Sequence, residues 1–518
     1  MSGFVSIVGA GPWDPELLTL AGRDRLRRAD VVIADYLVNP ALLMHCRADV
    51  KVYQRVAGPH DGVRLNQARV NELLAREAAA GRRVVRLKGG DPMIFGRGCE
   101  EAEVLRQAGL PYELVPGVSA AIAAPEAAGI PLTHRQHTPS VSIVSGYEAY
   151  DKSGLSVAWD HLAQSAGTIV LMMSVRNCQQ NADRLIAAGR DPETPAALIR
   201  WGTRGIMRTL VATLATIAER AEAEGLRAPA VLVVGSVVNL RERIEWFERR
   251  PLFGKRVVVT RSAPQAGELL HMLAAQGADA VAFPCLAIAP PEDPAALLAA
   301  VAAIDACDGV ILSSPNAVAA FFDALREVGL DARALAGKVV AAIGTGTGNH
   351  CEDRGLRPDL IPDQSRAEGL VDELRARGLL SKTWLHVRAD SGRALLGEAI
   401  AAAGGDYRLV IGYRTIRPEV PELLVRSLRA PADGGEGIDA IAFASGKAAR
   451  HLLDTLSEHL GADEARTILA SAKVLALGPV TAAAIEALDL RVDGVAAATS
   501  DEAMLAAVLD AFPADRAG

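Results

Sequence analysis

The chain has 518 residues, half of them hydrophobic, and a formal net charge of −7. That length accommodates about three or four domains of ~150 residues, and the apolar fraction excludes wholesale disorder. The negative balance argues against a general nucleic-acid binder, which carries a basic face, but leaves room for a local basic cleft that takes an anionic substrate. Six scattered cysteines, none in C-x-x-C spacing, suggest neither a zinc site nor a redox motif and fit a reducing compartment. No apolar run approaches the ~20 residues that span a bilayer, and the first strand starts at Phe4 without a leader. A cytoplasmic protein with no membrane or nucleic-acid partner is expected.

Phe4 to Val8 is the first predicted strand, and it ends at Gly9-Ala10-Gly11-Pro12. This is not a dinucleotide fingerprint, because Asp14 stands where the third glycine belongs and Pro12 interrupts the entry into a helix. An amphipathic helix over 17–29 follows, then a strand over 29–35 that closes on the carboxylate of Asp35. After a helix over 67–80 comes Val84-Val85-Arg86-Leu87-Lys88-Gly89-Gly90-Asp91-Pro92, a buried strand cut off by two glycines, an acceptor and a proline. Missing Cβ atoms at the carboxyl end of a strand let a ligand approach the backbone, although the same residue types also build ordinary turns. Tyr112 to Val115, a Pro116-Gly117 turn and a helix start at Ser119 complete the first region. Strands alternating with helices indicate a parallel or mixed α/β sheet. His134 and His137 have no further patterned ligand, so no metal site is expected. A second α/β region has strands at 141–145, 168–173, 196–199 and 231–234, with Gly202-Thr203 at a strand end.

Residues 3–248 resemble the tetrapyrrole methylase family, within it the uroporphyrinogen-III C-methyltransferases. The resemblance is carried in order by 8–12, 17–19, 29–32 with Asp35, 84–98, 115–120, 129–135, and 202–203 with 229–235. It implies a two-domain class III methyltransferase, with subdomains of about 1–115 and 116–248, and S-adenosyl-L-methionine bound without a Rossmann motif. The family's cofactor contacts fall on Pro12, Gly89, Gly90, Asp91, Ile94, Ser119, Ala120, Met173 and Gly202; its proton acceptor falls on Asp35. The chain departs from the family at Arg55, where the proton-donor lysine is expected. Arginine hardly releases a proton, so substrate-carboxylate binding suits it better. It also departs at Trp13, usually glycine, at Ser174 and at Met207. The resemblance further implies a homodimer through this half.

A charged, Pro/Gly-punctuated join at 249–254 leads to a second α/β core from Lys255 onward. Gly344-Thr345-Gly346-Thr347-Gly348 lacks the lysine of a phosphate loop and reads by itself as a flexible strand-end turn. Residues 255–512 resemble uroporphyrinogen-III synthase through 257–261, 313–318, 342–344, 413–415, 443–446 and 476–482. This implies two lobes, about 255–289 with 419–512 and about 290–418, folding the linear hydroxymethylbilane between them. It also implies Tyr413 assisting hydroxyl loss, and substrate-carboxylate binding by Ser314, Thr347, Ser445 and Thr481. Tyr413 is equally well placed to be a core tyrosine. The two resemblances support each other, because uroporphyrinogen III is the product of one activity and the substrate of the other. The competing expectation is a methylase of a later corrin intermediate with an inactive, tetrapyrrole-binding C-terminal half.

Overall fold

The computed structural model describes residues 3–47, 49–54, 66–147, 157–165, 167–261, 263–364, 366–431 and 436–513. The chain divides into two compact units, 1–284 with 420–518, and 285–419.

The first unit opens with strands β1 (Phe4–Gly9), β2 (Val31–Ala34), β3 (Lys51–Gln54), β4 (Arg83–Lys88) and β5 (Tyr112–Val115) in the order β3-β2-β4-β1-β5. Every pairing in this sheet is parallel. Its central strands are buried on both faces, as helices on either side of a parallel sheet require. All five carboxyl ends therefore lie at one edge, where the crevice of an open α/β sheet forms. The helix expected over 17–29 is split. Pro15–Leu17 makes a short 3₁₀ turn and Leu20–Arg28 the helix proper, because the Thr19 hydroxyl caps it by accepting from Gly22 N at 3.1 Å.

The second sheet holds β6 (Val141–Ser145), β7 (Thr168–Met172), β8 (Pro195–Arg200), β9 (Arg208–Thr213) and β10 (Ala230–Val234), ordered β6-β7-β10-β8-β9. Only β6 with β7 is parallel, so this sheet is mixed. The segment 249–254, expected as a linker, is packed: Leu252 is fully buried among Val257, Leu269 and Leu273, and Gly254 N donates to Gly205 O at 2.8 Å. Strands β11 (Arg256–Val259) and β12 (Asp279–Ala282) then start a third sheet.

The second unit contains β13 (Ala287–Ala289), β14 (Gly309–Leu312), β15 (Val339–Ala342), β16 (Thr383–Ala389) and β17 (Asp406–Ile416), ordered β13-β17-β16-β14-β15, with Trp384 and Phe321 fully buried in its cores. The chain finally returns to the first unit, where β18 (Ala440–Phe443), β19 (Lys473–Ala476) and β20 (Gly494–Val495) complete the third sheet as β12-β11-β18-β19-β20, all parallel. The expected lobe boundaries at 289/290 and 418/419 compare with unit boundaries at 284/285 and 419/420.

Candidate active site

Three strand ends meet at the edge of the first sheet through glycine. A Cβ on Gly117 would lie 2.4 Å from Gly90 O and 2.7 Å from Gly9 Cα, so the loops after β1, β4 and β5 approach as only glycine allows. Gly90 takes φ 68° and exchanges hydrogen bonds with Gly11, donating to Gly11 O at 2.7 Å and accepting from Gly11 N at 3.2 Å. Pro12 is thereby held beside Gly90. A Cβ on Gly90 would face Ala120 N at 3.7 Å and Ser119 Cα at 3.8 Å, ordinary contact distances toward the start of the helix Ala120–Ala127.

Asp91, read from sequence as a ligand acceptor, is committed to the backbone as well. Its Oδ1 accepts from Met93 N at 2.8 Å and its Oδ2 from Gly117 N at 3.0 Å, which ties the β4 and β5 loops together. The Ser119 hydroxyl accepts from Ala121 N at 3.3 Å as the helix cap. Ile94, in the loop after Asp91, is exposed. Met173 follows β7 in the second sheet, half-exposed at φ 57°. Gly202 follows β8, where a Cβ would come within 2.3 Å of Ala124 Cβ, so it lies flush against the helix that starts at Ser119. Thus Pro12, Gly89–Asp91, Ser119, Ala120 and Gly202 are brought together. Arg55 lies outside the described residues.

Asp35 N donates to Leu87 O at 3.0 Å, which sets the carboxylate at the end of β2 beside β4. Beside it lies a charge cluster formed by Arg86, Lys88 and Glu101. Arg86, fully buried, donates to Asp35 at 2.6 Å, to Glu101 at 3.0 Å and to Ile33 O at 3.1 Å. Lys88 Nζ lies 3.0 Å from Glu101 and 4.0 Å from Asp35. Burial opposes the charge on Arg86, but Asp35 and Glu101 outweigh it and hold the guanidinium above its ordinary pKa. Burial, then the adjacent Arg86 charge, push Lys88 below the ordinary lysine range. The signal was present: two cations in an otherwise apolar, buried strand require partners.

Backbone strain marks the same region. Among the described residues, non-glycine residues at positive φ are Trp13, Phe95, Arg97, Met173, Trp201, Thr203 and Asp489. All but the last lie in loops after strands of the first two sheets, and such strain concentrates at ligand sites.

In the second unit, Ser314 caps the helix Pro315–Glu327 by accepting from Ala317 N at 3.1 Å, and its hydroxyl lies 2.9 Å from Tyr413 Oη. Tyr413 is half-buried at the edge of that unit's core, so core packing and a hydroxyl contact coexist. Thr347 departs from expectation. The Gly344–Gly348 stretch is a helix start rather than a flexible turn; Thr347 is 3% exposed and its hydroxyl donates to Ile343 O at 3.1 Å. Its hydroxyl proton is thus committed to the backbone.

In the first unit, Ser445 caps the helix Gly446–Leu460 by accepting from Ala448 N at 3.2 Å. It shares one pocket with Thr481, Lys447 and Arg450. Two cations and two hydroxyls near the starts of two helices, Gly446–Leu460 and Pro479–Glu486, suit carboxylates. No group of His, Cys, Asp and Glu arranged to hold a metal occurs among the described residues. No helix there is long and apolar enough to cross a membrane.

Residues 5–218 match the family model of tetrapyrrole (corrin/porphyrin) methylases, and residues 267–506 that of uroporphyrinogen-III synthase HemD. The porphyrin biosynthesis protein HemD of Ruminiclostridium josui is 37% identical over 361 residues, 70% of this chain and 71% of that protein. A uroporphyrinogen-III C-methyltransferase of Bacillus subtilis is 36% identical over 341 residues, 66% of this chain and 70% of that protein. The S-adenosyl-L-methionine-dependent uroporphyrinogen III methyltransferase of Methanosarcina barkeri is 46% identical over 242 residues, 46% of this chain and 94% of that protein. The chain therefore belongs to the tetrapyrrole methylase family, in a form fused to a uroporphyrinogen-III synthase half.

Proposed function

We propose that the C-terminal half cyclises hydroxymethylbilane to uroporphyrinogen III, and that the N-terminal half methylates this product to precorrin-2. The carrying observation is the order of the two family matches within one chain. The cofactor is S-adenosyl-L-methionine, which supplies a methyl group made electrophilic by its sulfonium. The glycine-lined edge suits it: Gly90 has no Cβ where one would already touch Ala120 N and Ser119 Cα, and the exposed side chains of Ile94 and Met173 offer apolar surface.

On this reading Pro12, Gly89–Asp91, Ile94, Ser119, Ala120, Met173 and Gly202 bind and orient the donor, and orientation carries much of the rate of an in-line displacement. Asp35 accepts the proton that the macrocycle loses, and Arg86 fixes the direction of its carboxylate. Arg55 binds a substrate carboxylate as a permanent cation. In the synthase half the Tyr413 hydroxyl, aligned by Ser314, assists departure of the substrate hydroxyl. Ser445 and Thr481 receive substrate carboxylates beside Lys447 and Arg450. The enzyme is read as a cytoplasmic homodimer joined through the methylase half, which sedimentation of the full chain tests.

The experiment for the whole reading is incubation with hydroxymethylbilane and labelled S-adenosylmethionine. Labelled precorrin-2 is expected. Recovery of only unrearranged, unmethylated type-I porphyrinogen refutes both activities.

A further inference from the structure

The turn that carries Pro12 is anchored from the other half of the chain. Trp13 sits at φ 137°, in the region that favours glycine, and its neighbours across the turn, Trp201 and Thr203, are at φ 54° and 71°. Asp14 N donates to Thr203 Oγ1 at 3.3 Å. A non-glycine residue persists in such a conformation only when its surroundings over-determine it. Here the surroundings are Arg204. Its guanidinium carbon lies 4.3 Å from the Trp13 ring centroid and 4.4 Å from the Trp201 ring centroid, against two indoles that themselves meet edge-to-face with centroids 6.1 Å apart.

The remaining face of Arg204, 2% exposed, forks onto two carboxylates of the synthase half. It reaches Asp279 at 3.0 and 2.8 Å and Glu436 at 3.2 and 3.0 Å. Arg256 shares both acceptors, at 3.4 Å from Asp279 and 2.6 Å from Glu436. The backbones also meet closely: a Cβ on Gly205 would lie 2.1 Å from Asp279 N. A largely buried ion network of this kind specifies one arrangement more than it adds stability.

We propose that Trp13 and Arg204 form a positioning clamp through which the synthase half sets the Pro12 turn of the cofactor site. The inference rests on reading the Pro12–Gly90 edge as the S-adenosylmethionine site. It makes the synthase lobe a working part of the methylase rather than a passenger, and it gives Trp13 a role where the family carries glycine.

The test uses the full chain with Trp13→Gly, Trp13→Phe, Glu436→Gln and the Trp13→Gly/Glu436→Gln double variant. S-adenosylmethionine Kd is read by calorimetry, and kcat and KM by methyl transfer to supplied uroporphyrinogen III. Trp13→Gly should weaken Kd and raise KM about tenfold, the scale of a desolvated cation–π contact, with kcat at saturation within about twofold. Trp13→Phe, which keeps a ring face for Arg204, should stay within about threefold of the parent. Glu436→Gln should weaken Kd in the same direction from outside the site, and the double variant should be no worse than Trp13→Gly alone. Unchanged Kd in both single variants, or strictly additive losses in the double, overturns the clamp. A parent enzyme that binds S-adenosylmethionine with this variant pattern, yet does not methylate uroporphyrinogen III, supports the clamp and overturns the substrate assignment instead.

Discussion

Gly90→Val is the most direct perturbation of the cofactor edge, and its two consequences separate. The residue sits at φ 68°, so any L side chain costs about 1–2 kcal/mol there, and a β-branched one up to about 3. The added Cβ itself meets nothing closer than Ala120 N at 3.7 Å, so no clash adds to that strain. Against a native stability of about 5–15 kcal/mol the fold survives, with a melting temperature lower by roughly 2–12 °C. The two γ-methyls, however, extend beyond a Cβ that is already in contact with Ala120 N and Ser119 Cα, and so crowd the glycine-lined edge read as the cofactor site. Affinity for S-adenosylmethionine should fall more than about a hundredfold, some 2.7 kcal/mol. Calorimetry on the full chain measures this, and turnover of hydroxymethylbilane reports that the synthase half is still folded. Gly90→Ala, with the strain but without the methyls, should fall between. Undiminished cofactor affinity in Gly90→Val would refute the assignment of this loop.

Asp91→Ala removes the acceptor for Met93 N and Gly117 N, each bond to a carboxylate contributing about 1.5–3 kcal/mol. Loss of cofactor binding with retained synthase turnover is expected, and calorimetry checks it. Asp35→Asn should lower methylation kcat by roughly 10²–10⁴-fold while Kd for S-adenosylmethionine holds, measured by single-turnover label transfer. Tyr413→Phe deletes the hydroxyl that meets Ser314 at 2.9 Å; slower cyclisation of hydroxymethylbilane with unchanged methylation of supplied uroporphyrinogen III is expected, and unchanged cyclisation would mark Tyr413 as core. His386 is buried, and burial, then the nearby Arg388 charge, lower its pKa to about 3. Between the ordinary value near 6.5 and that value the unfolded chain takes up a proton that the folded one refuses. Stability is therefore fully present above about pH 6.5 and is lost on acidification at up to about 1.4 kcal/mol per pH unit. Urea unfolding at pH 7 and pH 5 should show this loss, and His386→Gln should flatten it.

The α/β class, the central strands and the glycine-bounded edge were legible in the sequence because each is a local property. Val84, Val85 and Leu87 are apolar in sequence and buried in the sheet, and Gly89-Gly90 ends the strand through missing Cβ atoms. In the first two sheets the strands without a sequence signal are β3 and β9, and each is an edge strand. With one neighbour and one solvated side, such a strand needs no apolar run, and both are at most partly buried over most of their residues. Side-chain commitments were equally invisible. That Thr347 turns its hydroxyl back onto Ile343 O depends on a helix starting at Thr345, and Asp91 is partnered from the β5 loop, 26 residues away. Trp13 is the sharpest case. From the sequence it is a departure from glycine at a cofactor turn. Only the tertiary structure places Arg204 against its ring and Asp279 and Glu436 behind Arg204, because contacts across 75 and 232 residues are decided by packing and not by any local pattern.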